Sequence, residues 1–427
     1  MKHNGLIFFY NLFLAIYSAA IRMVAPWNKK ARLWIKGREN LFKNLQTNFS
    51  SQQQTVWMHC ASLGEFEQGR PVLQQIQENF PAVSIIITFF SPSGYEIAIN
   101  DKHFTQIYYL PVDSPSHAKK LISILKPDLV LWIKYEYWFY YLRELKKENI
   151  PVLLISGVYR KSQPFFKWYG RFWQNMLATF THFFVQEAAS KTLLSTTISP
   201  EKITVSGDTR CDRVINIAEN FTEVPGIAAF CETNKVIVAG STWEDDEAEW
   251  VHFVKQHPEI KFIFAPHEID AENLAFVKKE FPGSVFYSEW ISGIRDGPGI
   301  PDPSPHCLII DNIGMLSRLY KYATITYVGG GFGYNGLHNI LEAAVYGRPV
   351  IFGPEYDKNF EAEEFIDCSG AISIENALEL EKVLHHLLNA DEEILSRGGA
   401  AKNYVYKNAG ATARIISFIQ KNRLLTN

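Results

Sequence analysis

Residues 325–354, ITYVGGGFGYNGLHNILEAAVYGRPVIFGP, read as a short buried strand, a glycine-rich loop, a helix and a second buried strand. That order builds a parallel sheet with a ligand loop at a strand's carboxyl end. Glycines 329, 330, 331, 333 and 336 let backbone come close to a ligand, and a helix from about Leu337 offers N–H groups to a phosphate. Glu342 follows His338 by one helical turn, which predicts that both project from one side of that helix. A carboxylate there suits the two hydroxyls of a ribose.

The same rhythm extends in both directions. KVIVAGST (235–242), IKFIFAP (260–266) and HCLIID (306–311) join ITYVGG (325–330) and RPVIFG (348–353) as one series of strands. VWMHC (56–60), SIIITFF (84–90), DLVLWI (128–133), VLLISG (152–157) and HFFVQ (182–186) form another, with amphipathic stretches between them. Two doubly wound α/β domains facing a cleft are expected, with ligands at the carboxyl ends of the strands. The division falls near residues 208–234. The expected parts are an anchor and basic segment over 1–45, a first domain over 46–215 and a second over 216–427. Gly293–Pro305 reads as a loop.

Composition narrows the class. With 47% apolar and 20% charged residues among 427, the chain folds around real cores and is neither disordered nor collagen-like. Five cysteines without CxxC spacing argue against a disulfide framework or a zinc knuckle and for reduced thiols. Lys and Arg outnumber Asp and Glu 23 to 13 over residues 1–205 and are outnumbered 32 to 19 thereafter. The acidic half lacks the positive footprint that nucleic acid needs, so no nucleic-acid partner is expected. No HExxH, DxD or other ligand spacing appears, so the site is expected to hold no metal.

Leu6–Pro26, LIFFYNLFLAIYSAAIRMVAP, is close to the ~20 apolar residues that span a bilayer, and no small-residue cleavage site follows it. Lys29, Lys30, Arg32, Lys36, Arg38 and Lys43 come next, a pattern of cytoplasmic positive charge. A retained anchor, spanning or lying along the membrane, is the expectation, against a buried helix of the first domain. Residues 132–184 hold 17 aromatics with cations interleaved, which fits lipid contact or, for most single rings, a core.

Further site candidates sit at strand-to-helix junctions. In HCASLGEFEQG, Ser62, Leu63 and Gly64 read as a tight turn, with Glu65 where the next helix begins. Two readings stand: Glu65 as a general base for a substrate hydroxyl, or Glu65 or Glu67 as an acid that merely favours a helix N-terminus. GSTWEDDE (240–247) places Ser241 and Thr242 at a cap position, and APHEI supplies His267.

Taken together, these segments resemble the bacterial 3-deoxy-D-manno-octulosonic acid (Kdo) transferases of lipopolysaccharide assembly. The resemblance covers nearly the whole chain: the anchor, Ser62, Gly64 and Glu65 of the SxGE turn, the GST(x)E segment, and the GG…HNxLE…GxPVIFGP block. It implies a GT-B glycosyltransferase fold and inverting transfer of Kdo from CMP-Kdo to a lipid A precursor (lipid IVA). It further implies location at the cytoplasmic face of the inner membrane, with no cofactor beyond the CMP-Kdo donor. By position it makes Glu65 the catalytic base and Glu136 of KYEYW the second glutamate of an ETExW motif. Gly330, Gly331, His338, Asn339 and Glu342 match the nucleotide loop and helix; Ser241 and Thr242 match another donor-side turn. Arg210 of SGDTRCD keeps a cation and Asp212 an acid, while Asn335 stands where an arginine often sits. KYEYWFYY departs from the usual ETELWPN, and APHEI lacks the common arginine before its histidine. The alternatives are a membrane-associated GT-B enzyme with another nucleotide sugar, an NAD-dependent oxidoreductase prompted by GGGFG, and a non-catalytic membrane scaffold. The oxidoreductase is disfavoured because the glycine loop lies in the second of the two expected domains.

Overall fold

The computed structural model describes residues 2–49, 53–134, 136–296, 305–334, 336–357 and 359–426. It divides into two compact units, residues 1–212 with 410–427, and residues 213–409.

The first unit is built on a seven-stranded parallel sheet: β1 (Thr55–Cys60), β2 (Ser84–Phe89), β3 (Ile107–Tyr109), β4 (Leu129–Ile133), β5 (Val152–Gly157), β6 (His182–Val185) and β7 (Ile203–Val205). Its order is β3-β2-β1-β4-β5-β6-β7, so the chain reverses direction across the sheet between β1 and β4. The central strands are continuous apolar runs because helices cover both faces. Alternate side chains of β1 therefore serve different cores: Trp57 packs with Trp132, and Val56 and Met58 with the opposite layer.

The second unit repeats the plan with β8 (Val236–Thr242), β9 (Lys261–Pro266), β10 (Val285–Phe286), β11 (Cys307–Ile309), β12 (Ile325–Val328), β13 (Val350–Phe352) and β14 (Ala371–Ser373). All its ladders are parallel, in the order β10-β11-β9-β8-β12-β13-β14, and the reversal falls between β8 and β12.

Three expectations change. The last residues, expected in the second domain, return to the first. Helix Ala411–Lys421 sinks Ile415, Ile416 and Ile419 into the core with Val56 and Ile155. Each such side chain contributes about 1.5–3 kcal/mol on burial. Asp212 anchors the return by accepting the N–H groups of Gly410 and Thr412 (2.5 and 2.6 Å). The loop expected over Gly293–Pro305 begins inside helix Tyr287–Asp296; residues 297–304 lie outside the described residues. Arg38, counted with the surface cations, is instead half-buried and fully engaged. It donates to the carbonyls of Trp34 (3.0 Å), Phe90 (2.8 Å) and Leu110 (2.9 Å), tying the segment after the N-terminal helices to the ends of β2 and β3. Desolvation draws its guanidinium down to about 10.

The N-terminus forms α1 (Lys2–Val24) and α2 (Lys29–Lys36), with Asn28 capping α2 through the N–H of Ala31. Gly5–Val24 is the one stretch of helix among the described residues long and apolar enough to cross a membrane. Most of the aromatic run over 132–184 is core, as with Trp132, Tyr141, Phe180 and Phe183, while Trp168 and Tyr169 are exposed.

Candidate functional site

Ligands of doubly wound sheets bind beyond the carboxyl ends of the strands, where the strand order reverses. In the first unit that point lies between the ends of β1 and β4. There, helix Leu63–Asn79 starts directly after Ser62, so Gly64 is a helical residue rather than part of a tight turn. A Cβ at Gly64 meets nothing within 4 Å, so the helix start is open on that side.

Glu65 lies in the first turn and folds back to accept the N–H of Ala61. Its carboxyl is nonetheless mostly removed from water. Burial pushes it up to about 7, against the backbone hydrogen bonds; nearby Glu136 adds to the rise and Lys134 opposes it. Glu65 is thus an acid in the first turn of a helix, with its carboxyl held in place by backbone. Glu67 faces a different partner, Arg70, at 3.4 Å.

Glu136 is fixed from β1. Fully buried His59 brings its Nε2 to 3.2 Å from Glu136 Oε2, while its Nδ1 lies 3.2 Å from the carbonyl oxygen of Thr88. The indole N–H of Trp138 donates to the same carboxylate oxygen at 3.0 Å, and that of Trp132 donates to the Glu136 carbonyl. Lys134, between β4 and Glu136, adopts a left-handed backbone (φ 52°).

Beyond β7, Asp208 pairs with Arg210 through Nε (2.9 Å) and Nη2 (2.6 Å). Burial alone raises that carboxyl, but the guanidinium outweighs burial and holds it below the usual range. Ser62, Gly64, Glu65, Glu136 and Arg210 therefore gather on the carboxyl side of this sheet.

In the second unit the reversal point lies between β8 and β12, and the glycine loop leaves β12 there. Gly330 (φ 88°) donates its N–H to Asp246 at 2.8 Å, and a Cβ on it sits 2.3 Å from the Gly336 carbonyl oxygen. A Cβ on Gly331 lies 2.6 Å from Gly353 N. Buried Asp246 also accepts from Trp243 N–H (2.9 Å) and Tyr327 O–H (2.7 Å), so one carboxylate ties the start of the loop to β12 and to the start of helix Glu244–Gln256.

Two expectations are corrected here. The helix after the loop is only Leu341–Ala344, so His338 and Asn339 precede it and do not share a helical side with Glu342. Asn339 reaches Glu342 Oε1 through its amide (3.3 Å), as does Arg213 (3.5 Å). The cap of helix Glu244–Gln256 is Trp243, not Ser241 or Thr242. The Thr242 hydroxyl donates to buried Glu247 (2.7 Å), and Ser241 is held at φ 55°. Asn335 lies outside the described residues.

The imidazole of His338 and the indole of Trp243 lie within 13° of parallel, joined by a hydrogen bond from indole Nε1–H to Nε2 (3.0 Å). His267 stacks against both rings, 4.6 Å from Trp243 and 4.3 Å from His338. Burial and the neighbouring His267 lower His338 to about 4, so it is neutral at pH 7. With Nε2 accepting, Nδ1 carries the proton and is a donor. His59, Trp243 and Asp246 were not singled out in the sequence. A polar residue within the apolar run VWMHC and an acid beginning a helix beside GST were their only signals. Among the described residues, no group of three His, Cys, Asp or Glu is placed to hold a metal ion.

Comparison with known proteins places these features. Residues 36–213 match the family described as 3-deoxy-D-manno-octulosonic-acid transferase (kdotransferase). A Haemophilus influenzae 3-deoxy-D-manno-octulosonic acid transferase is 24% identical over 86% of this chain and 87% of its own length. That of Aquifex aeolicus is 26% identical over 79% and 87%. A bifunctional glycosyltransferase/methyltransferase of Fusobacterium nucleatum subsp. nucleatum is 26% identical over 91% of this chain, which spans 60% of that longer protein. Among solved structures, a Neisseria meningitidis UDP-GlcNAc 2-epimerase superposes with TM-score 0.61 at 16% identity, covering 86% of this chain and all of its own. Acinetobacter baumannii MurG superposes with TM-score 0.53 at 12% identity, over 86% and 99%. These superpositions establish the GT-B fold of paired parallel-sheet domains. The chain is thus similar to the 3-deoxy-D-manno-octulosonic acid transferases, a glycosyltransferase family, through the family match over residues 36–213 and through relatives aligned along most of its length.

Proposed function

We propose that the chain is an inverting glycosyltransferase that moves Kdo from CMP-Kdo to a hydroxyl of a lipid A precursor, at the cytoplasmic face of the inner membrane. The observation that carries this reading is Glu65: one carboxylate, pinned by backbone N–H and held near pH 7, at the reversal point of the first sheet.

In such a transfer the acceptor oxygen attacks the anomeric carbon as the bond from that carbon to the CMP phosphate oxygen breaks. The acceptor proton passes to ionised Glu65, and CMP leaves with the bonding pair. Glu136, fixed by His59 and Trp138, keeps Glu65 a stronger base by its charge. The second domain holds the donor. Its glycine loop, Ser241, Thr242 and His267 shape the site, the Nδ1–H of neutral His338 is a fixed donor for it, and Glu342 and Asn339 take the ribose hydroxyls. Arg210, oriented by Asp208, supplies a cation for an acidic group of substrate. The reading calls for no resident metal or cofactor.

Calorimetric titration of the full chain tests the donor half. CMP-Kdo and CMP are expected to bind, and UDP-GlcNAc to bind at least ~100-fold more weakly, since a site built for particular polar groups rejects ligands that leave them unpaired. Preference for UDP-GlcNAc contradicts the proposal.

A further inference from the structure

From Ile7 onward helix α1 meets the first domain on one side only. Ile7, Tyr10, Leu14, Tyr17, Ile21 and Ala25 are buried or half-buried, spaced at three and four residues. From Ile7 to Ala25 that contact runs about 27 Å, close to the ~30 Å of a bilayer's hydrocarbon core. The contact is polar as well as apolar. Tyr10 donates its hydroxyl to Asp113 at 2.6 Å, and Asn11 accepts the hydroxyl of Tyr140 at 2.9 Å. Asp113 also takes the N–H groups of Tyr140 and Tyr141, so the helix is keyed into the core's own hydrogen bonding. Tyr17 packs on Trp34 and Phe90 further along.

The other side of α1 is apolar and uncovered: Phe8, Phe9, Leu12, Phe13, Ile16 and Met23 are between 43 and 72% exposed. Two exposed tryptophans stand on this unit as well. Trp27 lies just past the helix, and Trp168 precedes helix Arg171–Leu177, whose Phe172 packs on Tyr10. Lys29, Arg32, Lys36 and Glu39 line a concavity of about 440 Å³ along the adjoining α2.

We propose that α1 does not cross the bilayer but lies in its plane, its outer face sunk among the acyl chains and α2 over anionic headgroups. A helix that spends its inner face on a water-soluble domain over nearly a membrane's thickness has no free length left to span. The phenylalanine face supplies apolar area, the exposed tryptophans suit the headgroup level, and the lysines and arginine of α2 match negative charge. This attachment is independent of the sugar transferred and of the acceptor.

The test uses the full chain with Cys368→Ser, since the other four cysteines are buried. Single spin-labelled cysteines at positions 9–20 are read for oxygen and water-soluble nickel accessibility on phosphatidylglycerol vesicles. The expected result is oxygen exposure repeating every three to four residues at constant depth, high at 9, 13 and 16 and low at 10, 14 and 17. Depth that rises to a maximum near residue 15 on every side, with the ends in opposite compartments, overturns the proposal. Phe13→Glu with Ile16→Glu, both at exposed positions, is expected to weaken vesicle binding at least ~30-fold with the circular dichroism unchanged. Lys29, Lys30, Arg32 and Lys36 changed to Gln are expected to abolish the preference for phosphatidylglycerol over phosphatidylcholine. Unchanged binding in both variants, or no vesicle binding by the parent, also overturns it.

Discussion

Glu65→Gln is expected to cut transfer by ~10²–10⁴-fold while leaving donor affinity intact, the effect of removing a positioned base from a chemical step. The pH dependence has a definite sign. The base acts when ionised, so kcat/KM of the parent enzyme falls as pH drops through about 7, and the variant loses that limb. His338, near 4, adds no second limb at neutral pH. Stability runs the other way. The folded carboxyl, at about 7, lies above its ordinary 4.5, so folding disfavours the charge. That cost is fully present above pH 7 and absent below about 4.5. Glu65→Gln is thus expected to stabilise the protein by about 1–3 kcal/mol at pH 8 and by almost nothing at pH 4.5. Urea unfolding at the two pH values measures it. A variant that is less stable at pH 8 and still active removes Glu65 from the mechanism.

Gly330→Ala is expected to abolish donor binding. At φ 88° an alanine pays about 1–3 kcal/mol of backbone strain, and its methyl meets the Gly336 carbonyl oxygen at 2.3 Å. Backbone cannot retreat there, because the Gly330 N–H is tied to Asp246. A loss of CMP affinity of at least ~100-fold is expected by calorimetry. Gly336→Ala is the control: φ is 82° but nothing lies within 4 Å, so strain acts alone and the loss is smaller. Equal losses in the two variants contradict the account of the loop.

What the sequence revealed and what it hid follow one physical division. Every strand quoted from it is a strand in the structure, because central parallel strands are buried on both faces and announce themselves as apolar runs. The four that went unread, β3, β7, β10 and β14, are the sheet edges, two or three residues each. Such short edges exist through pairing with a neighbour and show no period of their own. Helix Ala411–Lys421 buries Ile415, Ile416 and Ile419, and nothing local in the sequence says which core they enter. In α1 the inward Tyr10 and Asn11 sit among so many apolar residues that hydropathy reads a span. Only their hydrogen bonds to Tyr140 and Asp113 reveal the docked side. Glu65 was legible by position, whereas its raised pKa depends on burial that the sequence does not display. Asp246 stayed hidden within EDDE because all four acids there are ordinary helix-start residues by sequence, and its partners lie on β12 and the loop beyond it.

The most direct measurement is mass spectrometry of lipid after the purified full chain is incubated with CMP-Kdo and tetra-acylated lipid A precursor. The account predicts lipid heavier by one or more Kdo residues, free CMP in equal amount, and neither product from Glu65→Gln. Unmodified lipid with CMP-Kdo, alongside sugar transfer from a UDP-linked donor, contradicts it.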